Sequence, residues 1–171
     1  EIRMGTRPTD DDLIIDLVHA HDRSDKKPVN MVKIIERQVE KAQKDYESAD
    51  ITTDLPDEAN VKTYDEIEFV VDNLIENAIE HNDTDNPEVR VEVLDGDTLG
   101  DNVEIRFIDN GPGIPEEEKE VLTEEKETPL KHGSGIGLWL VNHLVRKSDG
   151  ELEFSENQPR GSTVAVKFEE A

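Results

Sequence analysis

Ile67-Glu68-Phe69-Val70-Val71-Asp72-Asn73-Leu74-Ile75-Glu76-Asn77-Ala78-Ile79-Glu80-His81 decides how the rest of the chain is read. Ile67, Val70, Val71, Leu74, Ile75, Ala78 and Ile79 recur at three- and four-residue steps, one buried face of an α-helix. Asn73, Glu76, Asn77 and Glu80 recur at the same steps on the other side. A helix buried on one side that carries two amides and two carboxylates on the other faces either water or a ligand.

The flanks supply the partners of that helix. Upstream, Asn30 can cap a helix whose apolar side is Val32, Ile34, Ile35 and Val39. An earlier short helix runs through Leu13, Ile14, Leu17 and Val18, capped by Thr9 and the acidic turn Asp10-Asp11-Asp12. Asp22 to Lys27 reads as a charged break closed by Pro28. Residues 49–55 and 61–64 read as short strands. Downstream, Glu88 to Val93 and Asn102 to Ile108 each alternate with period two and form a hairpin about Asp95-Gly96-Asp97. Glu116 to Lys131 is a charged loop, and a helix runs from Leu138 to about Lys147. Two further strands, Glu151 to Phe154 and Thr163 to Phe168, turn through Pro159-Arg160-Gly161. About five strands and four helices, with strands in hairpins, predict an α+β chain. Its architecture is a two-layer sandwich with a mixed, mostly antiparallel sheet and helices on one face.

Charge narrows the partners. Asp and Glu number 43 against 19 Lys and Arg, a net charge of -24 in 171 residues. Such a field repels phosphate backbones and anionic membranes, so no nucleic-acid surface is expected. The acidity is spread along the chain, as in a halophilic protein whose self-repulsion is screened when the Debye length falls to ~3 Å. That reading expects the melting temperature to rise in molar salt, and a melting curve indifferent to salt would sink it. Cysteine is absent, which excludes disulfides and thiolate metal sites. No apolar run approaches the ~18 residues of a membrane span. A cytoplasmic location is expected, and a membrane anchor could lie upstream of Glu1.

Three features carry chemistry. Gly133-Ser134-Gly135-Ile136-Gly137 opens a helix, either as a flexible loop before it or as a place where exposed N–H groups attract an anion such as phosphate. Asp109 ends a strand before Gly111 and Gly113, placed either to cap a turn or to accept a hydrogen bond from an exocyclic amine. Asn77 offers an amide oxygen suited to Mg²⁺, and Asn73 lies one turn earlier.

In this order, Asn73-x-x-x-Asn77, Asp109-x-Gly111-x-Gly113 and Gly133-x-Gly135-x-Gly137 resemble the Bergerat-type ATP-binding fold. That group includes gyrase, the large heat-shock chaperone, mismatch-repair ATPases and sensor histidine kinases. Asn73 to Ala78 looks like the asparagine box of histidine kinases, Asp109 to Pro115 like their first glycine box, and Gly133 to Val141 like their second. The resemblance covers residues 28–169 and leaves 1–27 as a lead-in, the tail of a dimerisation-hairpin helix and a linker.

The resemblance implies roles. Asn77 would hold the Mg²⁺ that bridges the phosphates of ATP. Asp109 would read the adenine amine, with Thr163 assisting through water. Gly111, Gly113 and Ile114 would shape the adenine pocket, with His81 beside it. Gly133, Ser134, Gly135, Ile136, Gly137 and Leu138 would wrap the phosphates, with Lys131 and His132 in contact from the lid. Asn73 stands where hydrolysing members place a Glu as general base; an amide cannot take the proton, so transfer to another nucleophile is expected.

The expected activity is γ-phosphoryl transfer from Mg·ATP to a histidine of a dimerisation hairpin. A receiver domain of a response regulator would take the phosphoryl group next, and the full-length protein would be a homodimer. None of His19, His21, His81, His132 and His143 has the surroundings of an acceptor, which is expected upstream of Glu1. Two positions depart from the pattern: Glu80 where Lys or Arg is common, and His81 where an aromatic is common. No phenylalanine box is evident in the lid. Glu80 keeps open a degenerate or serine-directed module acting mainly through protein interaction.

Overall fold

A computed structural model describes residues 26–95, 101–113, 135–157 and 159–171. Among them the elements are β1 (Lys27–Asn30), α1 (Met31–Asp45), β2 (Asp50–Asp54), β3 (Asn60–Thr63), α2 (Ile67–Glu80), β4 (Glu88–Leu94), β5 (Asn102–Asp109), α3 (Gly135–Lys147), β6 (Glu151–Glu156) and β7 (Ser162–Glu169).

Helix α2 is the hub. Ile67, Val70, Val71, Leu74, Ile75 and Ile79 are all buried, as the spacing requires. Five of these six are β-branched, which costs a few tenths of a kcal/mol each in helix propensity. Burial of each side chain returns about 1.5–3 kcal/mol, so packing, not propensity, makes this segment helical. It packs between α1 and α3. Helix α1 starts where the sequence places its cap: Asn30 Oδ1 accepts from Val32 N at 3.2 Å and from Ala59 N at 3.1 Å. The second bond ties the helix start to the approach of β3.

The main sheet has the order β2-β4-β5-β7-β6. Only β2 and β4 run parallel; the other pairs are antiparallel. Val89, Val91, Val103, Ile105, Phe107, Val164, Val166 and Phe168 fill its inner face and are buried. The outer face carries charge in same-strand pairs, Arg90 Nε to Glu92 Oε1 at 2.6 Å and Arg106 Nε to Glu104 Oε2 at 2.7 Å. One face apolar and one charged gives the expected two-layer sandwich.

Two points differ from the sequence reading. Lys27 and Pro28, expected to end and close a charged break, open strand β1, paired antiparallel with β3 in a separate two-stranded sheet. Pro28 is tolerated there because β1 has a partner on one side only. Lys27, placed in the lead-in, therefore already belongs to the folded unit. Helix α3 begins at Gly135, three residues before Leu138. The helix expected at residues 9–18 and the lid expected at 116–132 lie outside the described residues.

Candidate functional site

Period-two alternation aims the site. Val103, Ile105 and Phe107 point inward from β5, so Asp109 points inward too, at the strand's open end. There it lines a cleft of ≈ 500 Å³, open mouth included. Leu74, Asn77, Ala78 and His81 of α2 and its cap form one wall. Phe107, Pro112, Gly113, Leu138, Ser162 and Val164 complete the lining. An apolar slot with one carboxylate and one amide is the composition of a small-molecule pocket.

Asp109 is held on both oxygens. Oδ1 accepts from Gly111 N at 2.9 Å and Ser162 N at 3.2 Å, and Oδ2 accepts from Ser162 Oγ at 2.8 Å. A carboxylate has about four lone-pair sites, so capacity remains for one more donor. Gly111 is buried, and a Cβ there would lie 3.3 Å from Asp109 Oδ1. Gly113 has φ +96°, where an L side chain is strained.

Thr163 does not serve this carboxylate. It lies on the opposite face of β7 and its Oγ1 donates to Asn157 Oδ1 at 2.6 Å. Ser162 takes the position expected of it. The signal was present in the sequence: Val164, Val166 and Phe168 are the inward residues of β7, and Ser162 shares their parity.

Asn77 and Asn73 are joined. Asn77 Nδ2 donates to Asn73 Oδ1 at 3.0 Å. The bond occupies the nitrogen end of Asn77 and leaves its carbonyl oxygen for a ligand. It also commits the oxygen of Asn73, whose amide nitrogen then remains as a donor. Asn73 does not itself line the cleft and lies one turn away on α2. One amide oxygen, with waters and phosphate oxygens, fits the habits of Mg²⁺. Among the described residues no cluster of three or more His, Asp or Glu could hold an ion by itself.

Glu80 is drawn away from the cleft. It is exposed, and Tyr46 Oη donates to its Oε1 at 2.6 Å. This hydrogen bond, then burial, pushes the Tyr46 phenol well above its ordinary range. The polar face of α2 thus divides: Asn77 lines the cleft and holds Asn73 beside it, while Asp72 and Glu80 look toward α1, where Lys41 Nζ pairs with Asp72 Oδ1 at 3.3 Å. Glu76 sits between them, its carboxyl raised first by burial and then by the charges of Asp72 and Glu80. A raised carboxylate favours the fold in its protonated form. Its ionisation therefore costs stability once the pH passes its ordinary value, and protonation restores that stability as the pH falls.

Of the remaining expected residues, Leu138 lines the cleft and is buried. His81 also lines it, from an exposed position at the α2 cap. Gly135, Ile136 and Gly137 form the first turn of α3. Ile114, Lys131, His132, Gly133 and Ser134 lie outside the described residues. Trp139 stacks on His143, centroids 5.6 Å apart and planes 8° apart, next in sequence to Leu138.

The sequence reading places the β6–β7 turn at Pro159-Arg160-Gly161 but not its bonds to the site. Asn157 Nδ2 donates to Asp109 O and to Ser162 O, both at 3.0 Å. Arg160 Nε donates to Gly111 O at 3.1 Å, and its terminal nitrogen reaches Asp83 Oδ1 at 2.9 Å. Gly161, at φ +111°, has no room for a side chain: a Cβ would lie 2.0 Å from Asp109 O. Asn157 and Asp109 are 48 residues apart, Arg160 and Gly111 49, and Arg160 and Asp83 77, and no local pattern announces these pairs.

Comparison with known proteins agrees with this geometry. The family described as histidine kinase-, DNA gyrase B-, and HSP90-like ATPase matches residues 63–171. A putative sensor histidine kinase, NtrY-like, of Rickettsia conorii is 31% identical over 121 residues, covering 66% of this chain and 19% of that protein. The chain thus spans about a fifth of the length of that curated relative. Among solved structures, the mycobacterial sensor histidine kinase MprB has TM-score 0.70 at 24% identity, covering 85% of this chain and 97% of that one. Full-length ShkA in complex with AMPPNP has TM-score 0.72 at 17% identity, covering 92% of this chain and 34% of that one. At these identities the structural likeness speaks to the fold.

Proposed function

The chain belongs to the histidine kinase-, DNA gyrase B-, and HSP90-like ATPase family, and from that premise we propose that it binds Mg·ATP and donates the γ-phosphoryl group to a histidine. The acceptor would lie on a dimerisation hairpin outside residues 28–171, with a response-regulator receiver next in line. The observation that carries this reading is the pairing of Asn73 with Asn77 at the rim of a cleft whose floor carries Asp109.

Each group has a task. The adenine would enter the apolar slot between Ala78, Leu138 and Phe107, its amine donating to the remaining lone pair of Asp109. The phosphates would lie toward the start of α3, where first-turn N–H groups favour anions. Asn77 Oδ1 would ligate Mg²⁺, which when bound neutralises phosphate charge. Asn73 would present its amide nitrogen to a phosphate oxygen or to water, holding it without removing a proton. An amide at position 73, which orients a group without removing its proton, supports transfer over hydrolysis. The turning of Glu80 toward Tyr46 removes the main support for a module unable to hold phosphate.

The test is phosphorylation of a longer protein that contains the hairpin, with labelled ATP. The expected product is labile in acid and stable in base, as a phosphohistidine is. An acid-stable product would point to serine, and no product despite nucleotide binding would overturn the kinase reading. Cytoplasmic placement and the halophilic origin remain part of this proposal; among the described residues no helix is long and apolar enough to cross a membrane.

A further inference from the structure

We propose that Asn157, Arg160 and Asp83 form a latch that sets the preference of the site for adenine. They are positioning residues, acting through Asp109 and Gly111; none of the three lines the cleft. The inference rests on the reading of Asp109 as the group that meets the adenine amine.

A carboxylate tells an amine from a carbonyl because it can only accept. The distinction is sharp when its remaining lone pair points one way. That direction is fixed here by three donors, Gly111 N, Ser162 N and Ser162 Oγ. Two of the three are backbone groups, so the aim of Asp109 is only as firm as the two chain segments that carry them. The latch holds both. Asn157 bridges the segments with one amide nitrogen, donating to Asp109 O and Ser162 O at 3.0 Å each. Its oxygen is held by Thr163 Oγ1 at 2.6 Å, which stops the amide from turning. Its own N–H donates to Gly161 O at 3.0 Å and closes the turn.

Arg160 fastens the other side. Its guanidinium joins Gly111 O to Asp83, which follows α2 by three residues. The Arg160–Asp83 pair has side chains 47% and 55% exposed and would be weak on its own. Its effect comes from the shared anchor, since one rigid fork spans a carboxylate and a backbone carbonyl. Asn82 and Asn110 reinforce the same junction, Asn82 Nδ2 donating to Asn110 Oδ1 at 2.6 Å. The α2 cap, the end of β5 and the β6–β7 turn are thus tied together at the adenine end of the cleft. The phosphate end is served by Asn77 and the start of α3, which the latch does not touch. Loosening the latch should therefore cost base recognition and spare phosphate binding.

The experiment measures the dissociation constants of Mg·ATP and Mg·ITP for the full chain; in ITP a carbonyl replaces the amine. The unaltered chain is expected to prefer ATP. Asn157→Ala and Arg160→Gln are each expected to weaken ATP by about 3- to 10-fold, the worth of one hydrogen bond, and to leave ITP within about twofold. Asp109→Asn is the control for the underlying reading and should erase the preference. If Asp109→Asn keeps the preference, the adenine-reading role itself fails. If Asp109→Asn erases it while both latch variants keep it, the latch is refuted and the reading stands. Equal losses of ATP and ITP would also overturn the latch, because a purely structural role lowers both together. Arg160 is exposed, so Arg160→Gln carries the test alone should Asn157→Ala fail to melt cooperatively.

Discussion

Gly161→Ala is expected to destabilise the chain by about 3 kcal/mol or more, a fall of roughly 6–12 °C in melting temperature for a domain of this size. Two effects combine. Gly161 sits at φ +111°, outside the range a non-glycine residue adopts without strain. The added Cβ would also lie 2.0 Å from the carbonyl oxygen of Asp109, a backbone atom that no side-chain rotation can clear. Relief requires the β6–β7 turn to lift off the end of β5. That movement would break the bonds from Asn157 to Asp109 O and from Ser162 to the Asp109 carboxylate. Thermal melting and an ATP titration at a temperature where the variant is folded check both halves. A variant that melts within about 1 °C of the parent would show that the turn has room the geometry denies.

Asn77→Ala is expected to reduce phosphotransfer by about 10²- to 10³-fold, the range for removing one preorganised polar group from a reaction centre. The substitution deletes the oxygen read here as the magnesium ligand. It also frees the Asn73 amide, which the 3.0 Å bond from Asn77 holds in one orientation. Asn77→Asp separates the two losses. It keeps an oxygen for the metal, but its carboxylate cannot donate to Asn73 and brings negative charge toward a tetra-anion. Metal-dependent nucleotide binding should partly survive in Asn77→Asp and be lost in Asn77→Ala, with phosphotransfer impaired in both. Titration of ATP with and without Mg²⁺, followed by the acid-lability assay, distinguishes them. Full transfer by Asn77→Ala would remove Asn77 from the centre.

The legible parts of this molecule were those written in local periodicity. Ile67 to Ile79 could only be an amphipathic helix, and the alternating runs around Val91 and Ile105 could only be half-buried strands. The resemblance of the asparagine and glycine boxes then placed Asn77, Asp109, Gly111 and Gly113 near one another, and the cleft brings Asn77, Asp109 and Gly113 to its surface, with Gly111 buried behind Asp109. What stayed hidden depends on partners distant in sequence. Tyr46 meets Glu80 across 34 positions, and nothing near either residue predicts it. Arg160 meets Asp83 across 77. Strand β1 was hidden because charge and Pro28 mask a segment whose only partner is β3. Thr163 was a different error. The parity of β7 was readable, and one step along a strand exchanges the cleft for the opposite face.

The order of the sheet bears on how the domain is made. Strand β7, the latest of the described strands to be synthesised, lies between β5 and β6 and not at an edge. Until it is in place, β5 offers an open edge above Phe107, and Asp109 lacks both of its contacts from Ser162. A growing chain can assemble α1, α2 and the β4–β5 hairpin, with Asn73 and Asn77 already on their helix, before the cleft lined by Ser162 and Val164 exists. The cleft is then completed late and at once, when β7 enters the gap and Ser162 meets Asp109. The exposed β5 edge is the point at which a partly synthesised chain is most open to pairing with the wrong neighbour.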